Sequence, residues 1–270
     1  SDVVDGFGLA SLLAHGVSLF DPNGLRLTLN PDEAVPALQA IARLYRTDAG
    51  TAIAPAGVVD WSAANAVAAL ASGRVAQTLD LGGLYARMVA DTPPLRDEIA
   101  VLPWPGGPKG RFTATPIYAF VVLTGSNAER ATALVERLLQ PTRYDALSRA
   151  GLGSAIPPYA YQTKGPFWDE DPNYAVFVAS TRGDPARGLQ YAPFGYPSPP
   201  TLPVVSVGLA HALSDAVRAV ALGQQSPGSA ALALQKAAQS AARAGLALQP
   251  QVSPTPEPTW LKRLSDQFGQ

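Results

Sequence analysis

The chain has no cysteine, two histidines and one methionine. Without thiols there is no disulfide framework, no thiol nucleophile and no Cys-based zinc site. His15 and His211 stand alone, in neither a His-x-x-x-His pair nor a Ser/His/Asp order. Both are read as structural, and no metal or cofactor is assigned. Charged residues make up only 15% of the chain and sum to a net charge of −1. Phosphate binding needs a basic surface, so nucleic acid is not expected as a partner. No uncharged apolar run is long enough to span a membrane, because residues 204–222 contain His211, Asp215 and Arg218. No secretory leader is visible and the first residue is Ser, which reads as a processed or partial polypeptide.

What is present is apolar and rich in turns. A hydrophobic content of 47% over 270 residues excludes a disordered chain. The 26 prolines and 24 glycines predict many rigid connectors. Residues 1–15 read as a helix, followed by a turn at Asp21-Pro22-Asn23-Gly24. Asn30-Pro31-Asp32-Glu33 caps a second helix, in which Pro36 predicts a kink or a late start. Helices are also expected over 142–150, 174–180, 205–222 and 226–244, the last stopped by Gly245. Residues 190–200 form an aromatic–proline loop, and residues 249–270 a Pro-rich linker with a short amphipathic tail.

The chain is organised around residues 61–139. A short helix after Trp61 ends at Ser72-Gly73, with Gly73 placed for a left-handed C′ position. An extended run from Arg74 leads to Asp80-Leu81-Gly82-Gly83, and a linker leads to a second run over 99–103. A rigid bend at Pro103-Trp104-Pro105-Gly106-Gly107 precedes an apolar extended run over 112–123. Ser126 and Glu129 predict a capping box for a helix whose stripe is Ala131, Leu134, Val135, Leu138 and Leu139, stopped by Pro141.

Taken in order, these elements resemble the extracytoplasmic solute-binding proteins of sugar-type ABC importers, the family 1 binding proteins. The resemblance is carried by Ser72-Gly73-Arg74, the Asp80–Gly83 loop, Leu102-Pro103-Trp104-Pro105-Gly106, Thr113-Ala114-Thr115 and Ser126-Asn127-Ala128-Glu129. Val75-Ala76-Gln77 departs from the usual Ala-Ala-Met, and the aromatic expected just after the loop glycine is present only as Tyr85. The resemblance implies an α/β, periplasmic-binding-protein-like fold of type II with two lobes and a ligand cleft between them. Residues 1–108 and 152–245 would build the second lobe, with residues 112–150 returning to a first lobe that is mostly absent. The chain would cross near 103–112 and again near 141–157. The returning helix would have little to pack against, leaving its stripe partly exposed.

The same resemblance implies a protein that is not an enzyme. It would bind a small solute of carbohydrate type and deliver it to the permease subunits of an ABC importer. Its place would be periplasmic or at the cell surface, with membrane association only through an N-terminal anchor outside this sequence or through the permease. Sugar sites combine aromatic faces with amides and carboxylates. The candidate contacts are Asp80, Gly82, Tyr85, Thr115, Tyr118 and Tyr196. Asp80 reads equally as a turn carboxylate and Tyr196 equally as part of a packed loop, while Tyr118, inside an apolar strand, reads as core before contact. Trp104 reads as a hinge wedge, Trp61 as a helix-start staple, and Trp168-Asp169-Glu170-Asp171 as a solvated acidic loop. Two other functions fit the same residues: a glycoside-acting enzyme, for which no acid and base pair can be nominated, and a sensory or degenerate binding module fused to another domain.

Overall fold

Asn30 sets where the second helix begins. The computed structural model describes residues 2–79, 83–114, 120–153, 155–157 and 159–248. Within it, α1 spans Asp2–Ala14 and α2 spans Pro31–Tyr45. The Asn30 side chain accepts from the Asp32 amide, and Pro31, Asp32 and Glu33 fill the first turn. The late start predicted from Pro36 does not occur, because the Ala34 amide already bonds the Asn30 carbonyl at 3.2 Å ahead of it. Leu38 and Ile41 are buried on the inner stripe of α2, each stabilising by about 1.5–3 kcal/mol.

Helix α2 packs on two C-terminal helices, α10 (Ala212–Ala221) and α11 (Pro227–Leu248), and α11 carries a third, α9 (Leu202–Leu209). Two sequence expectations fail here. The single helix over 205–222 is broken at His211, whose backbone is left-handed at φ 52°. The break lets α9 lie along α11 while α10 packs on α1, α2 and α11. The stop expected at Gly245 is also absent, since α11 runs through it to Leu248. A Cβ at Gly245 would lie 2.6 Å from the Leu202 carbonyl oxygen and 2.7 Å from Pro203 Cα. The glycine is a notch for close helix approach, and its backbone stays helical.

Among the described residues the expected sheet appears as two short parallel strands, β1 (Arg111–Thr113) and β2 (Leu189–Tyr191). Arg111, Phe112 and Thr113 pair with Leu189, Gln190 and Tyr191. The extended runs over 75–79 and 99–103 join no ladder. Ile99 and Val101, both partly buried, pack against a helical aromatic cluster instead, and the Val101 amide bonds Asn173 Oδ1 at 3.1 Å. That cluster is a second core, joining α3 (Ala63–Ala71) and α4 (Gly83–Asp91) to the segment carrying Phe167, Trp168, Tyr174 and Phe177. Helix α3 closes at Gly73 (φ 70°), as predicted, and is capped by a Ser62–Asn65 box that was not predicted. Helix α4 was not predicted; residues 84–98 read as a linker.

Helix α5 begins at Ala128 and ends at Leu138, with Asn127 at its cap and no side-chain cap bond. The predicted Ser126–Glu129 box is therefore corrected. No residue of α5 is buried, and Leu134 is 57% exposed. Pro141 opens the next helix, α6 (Pro141–Ala150). Two further helices, α7 (Pro166–Asp169) and α8 (Pro172–Arg182), complete the second core. Trp104 wedges into the first core, edge-on to Phe7 at 5.8 Å.

Candidate functional site

Parallel pairing brings the carboxyl ends of β1 and β2 to one side, where open α/β sheets hold their ligands. The ladder is extended there by a bond from the Ala192 amide to the Thr113 carbonyl at 2.9 Å. Helix α1 presses against this end. A Cβ on Gly6 would lie 2.4 Å from the Ala114 carbonyl oxygen, so no larger residue fits this approach. The Thr113 hydroxyl is buried there and has no hydrogen-bond partner among the described residues.

Beyond β2 the chain enters the aromatic–proline loop, which is tightly anchored. The Tyr196 amide bonds the Pro193 carbonyl at 2.9 Å, and Ser198 Oγ donates to the Gly195 carbonyl at 2.5 Å. The Thr201 hydroxyl donates to the Gly24 carbonyl, tying the loop to the hairpin closed by the Phe20–Leu27 bridge. Tyr196 is 36% exposed, and its ring stands 6.4 Å from that of Phe112 on β1. Asp80, Gly82, Thr115 and Tyr118 lie outside the described residues. Thr115 lies two residues past β1 in sequence, and Asp80 and Gly82 precede α4.

Tyr85 occupies a different environment from an open cleft wall. It is 4% exposed on α4, and its hydroxyl donates to Asp171 Oδ2 at 2.6 Å. Asn173 Nδ2 donates to the same hydroxyl at 2.7 Å. Burial, reinforced by the Asp171 contact, pushes the Tyr85 phenol up to about 12. The solvated acidic loop predicted over 168–171 holds for the exposed Asp169 and Glu170 and is corrected at its two ends. Trp168 and Asp171 are both buried, at 5% and 1% exposure. Asp171 caps α8 by accepting from the Asn173 amide at 2.9 Å, and Arg96 Nε lies 3.4 Å from its Oδ2. Glu170 pairs with Arg149 Nη1 at 2.6 Å. The signal for this network was in the sequence, since Asp171-Pro172 is an N-cap followed by proline at the first helical position. Beside it, a groove of about 410 Å³ is lined by Thr163, Trp168, Asp169, Val178, Arg182 and Asp184, among others.

Residues 5–142 match the family model described as bacterial extracellular solute-binding protein. Among solved structures, the chain is similar to a sugar transporter from Arthrobacter chlorophenolicus A6 with bound laminaribiose, at a TM-score of 0.62 and 18% identity. The likeness covers 88% of this chain and 57% of that one, so this chain spans little more than half of that protein's length. At that identity it shows the fold alone: an α/β chain built like part of a solute-binding protein. No curated protein matches the chain.

Proposed function

The chain belongs to the bacterial extracellular solute-binding protein family, and from that premise we propose that it holds a small carbohydrate-type solute for an ABC importer. The finer fold reading is of type II. Residues 1–108 and 152–245 form a second lobe, and residues 112–150 return toward a first. The permease subunits of the importer are the partner, and the setting is extracytoplasmic. Members of such a family bind their cargo and release it unchanged, so no catalytic residues are assigned. The observation that carries the proposal is the junction at the ends of β1 and β2, where the half-exposed Tyr196 ring stands beside Phe112. An aromatic face at a strand end suits the C–H surface of a sugar ring. Thr115 and Tyr118 follow β1 in sequence, Asp80 and Gly82 come from the segment before α4, and together they would supply contacts to the solute's hydroxyls. Tyr85, with its hydroxyl held by Asp171, would fix the start of α4 just behind Asp80 and Gly82.

A cleft with two walls buries about 70–90% of its ligand. One wall alone forgoes two or three hydrogen bonds at about 1 kcal/mol each and a stacking face of similar worth, which moves a micromolar site toward millimolar. Saturation-transfer NMR with laminaribiose and a panel of mono- and disaccharides reads that range. The expected result is transfer from the 270-residue chain to at least one sugar, reduced severalfold by Tyr196→Ala at unchanged melting temperature. No transfer to any sugar, or transfer indifferent to Tyr196→Ala, would count against the proposal.

A further inference from the structure

We propose that α8 is a strut that sets the entry to α4 against the β1–β2 junction, with Asp171 as the positioning residue at its head. This rests on the solute reading, which takes Asp80 and Gly82 ahead of α4 and Tyr196 beyond β2 as parts of one site. Those parts come from segments far apart in sequence, so a solute that touches both needs them held in register.

The first turn of α8 gathers three pieces of the segment that follows Gly82. Asp171 Oδ2 accepts from the hydroxyl of Tyr85, the third residue of α4, at 2.6 Å. Arg96 Nε lies 3.4 Å from the same oxygen. Asn173 donates from Nδ2 to the Tyr85 hydroxyl at 2.7 Å and accepts the Val101 amide on Oδ1 at 3.1 Å. Capping alone does not call for this arrangement. Serine caps a helix as well as aspartate does, and a carboxylate at 1% exposure is costly unless paired and hydrogen-bonded. The Tyr85 contact is a short, charge-assisted bond, so Asp171 holds α4 as well as starting its own helix.

The far end of α8 is joined to β2. The helix runs for 11 residues to Arg182, about 16 Å at 1.5 Å per residue. Gly183 follows at φ 77° and ψ 158°, a conformation nearly confined to glycine. A Cβ there would lie 3.2 Å from the Leu189 carbonyl oxygen and 3.4 Å from the Tyr191 amide nitrogen. Asp184 then exchanges two backbone bonds with Leu189, at 2.8 and 2.9 Å. Leu189 opens β2, and the partner strand β1 and the loop after β2 carry Phe112 and Tyr196. One helix, bonded at both ends, therefore runs from the start of α4 to the wall of the site. Breaking the Tyr85–Asp171 bond frees α4 from the strut without removing either wall.

A wall in place only about a tenth of the time raises the apparent dissociation constant about tenfold. Titration read by saturation-transfer NMR, with a sugar that gives transfer from the wild-type chain, measures that change. Tyr85→Phe leaves the Asp171 cap intact, and Asp171→Asn keeps a capping side chain while losing the charge. Each is expected to weaken binding about five- to tenfold. The double variant is expected to go no further than either single one, since all three break the same bond. Gly183→Ala, at the opposite end of α8, is expected to weaken binding by a similar factor. Phe167→Leu loosens the same aromatic core without touching Asp171. It is expected to lower the melting temperature and leave the affinity essentially as in wild type. Wild-type affinity in Tyr85→Phe and Asp171→Asn, or in Gly183→Ala, overturns the inference and leaves the solute reading standing. So does a loss in Phe167→Leu as large as theirs, which would reduce the network to plain stability. No transfer from wild type to any sugar overturns the solute reading, and the inference with it.

Discussion

The Tyr85 hydroxyl is held between a carboxylate and an amide inside an aromatic core, against Tyr174 and Phe177. Its proton is harder to remove in the folded chain, at about 12 against 10.0 for the free phenol. The consequence for stability follows from linkage. Below pH 10 both states keep the proton and the full stabilisation is present. Between pH 10 and 12 the unfolded state releases the proton first, so stability falls as pH rises. A shift of this size corresponds to at most about 2–3 kcal/mol. Tyr85→Phe cannot titrate, so its stability relative to wild type should improve steadily from pH 10 upward in urea unfolding. Parallel stability curves for the two proteins from pH 9 to 12 would show that the phenol is not held in this way.

At the scale of elements, Gly245 decides how closely α11 approaches α9. Alanine would gain about 1 kcal/mol of helix propensity. It would also push a methyl to within 2.6–2.7 Å of the Leu202 carbonyl and Pro203 Cα, backbone atoms that cannot swing away. Overpacking of this kind costs about 1–3 kcal/mol, and with rigid neighbours the upper end applies. Gly245→Ala should therefore lower the melting temperature by several degrees. Gly228→Ala in the same helix, with nothing within 4 Å of the new Cβ, should leave it unchanged or raise it. Equal behaviour of the two variants would remove the notch from the account.

Gly245 also shows what the sequence could and could not convey. Local signals were legible where they were self-contained: the Asn30 cap with Pro31, and Gly73 closing α3. Gly245 looked like a helix stop because its close contact comes from α9, about forty residues away in sequence. The strands over 75–79 and 99–103 were over-read for a similar reason. Their apolar residues fit a sheet, but Ile99 and Val101 pack against the helical aromatic core. At the site, Tyr196 was legible as a partly exposed aromatic. The burial of Tyr85 was not, since its partner Asp171 looked like one more acid in a solvated run. Four candidate contacts fall outside the described residues and remain proposals.

On the scale of the whole molecule, the apolar residues described gather into two cores that share no buried member. The first joins α1, α2, α9, α10 and α11. The second is smaller and largely aromatic, joining α3 and α4 to α7 and α8. Between them run the short β1–β2 ladder and the contact of β2 with α8. A three-residue ladder, an exposed Arg218–Asp60 pair and the contact of Leu79 with the first core couple the two weakly, because a two-stranded pairing has marginal stability of its own and an exposed ion pair contributes little. Unfolding should then proceed in two steps, with the smaller core melting first. Phe177→Ala removes a ring buried in the second core, at a cost of about 3–5 kcal/mol. It should lower the first calorimetric transition and leave the second in place. Leu38→Ala, at about 2–5 kcal/mol in the first core, should move the second transition instead. A single transition that both substitutions displace as a whole would mean that the ladder and its neighbours couple the cores far more strongly than three paired residues can.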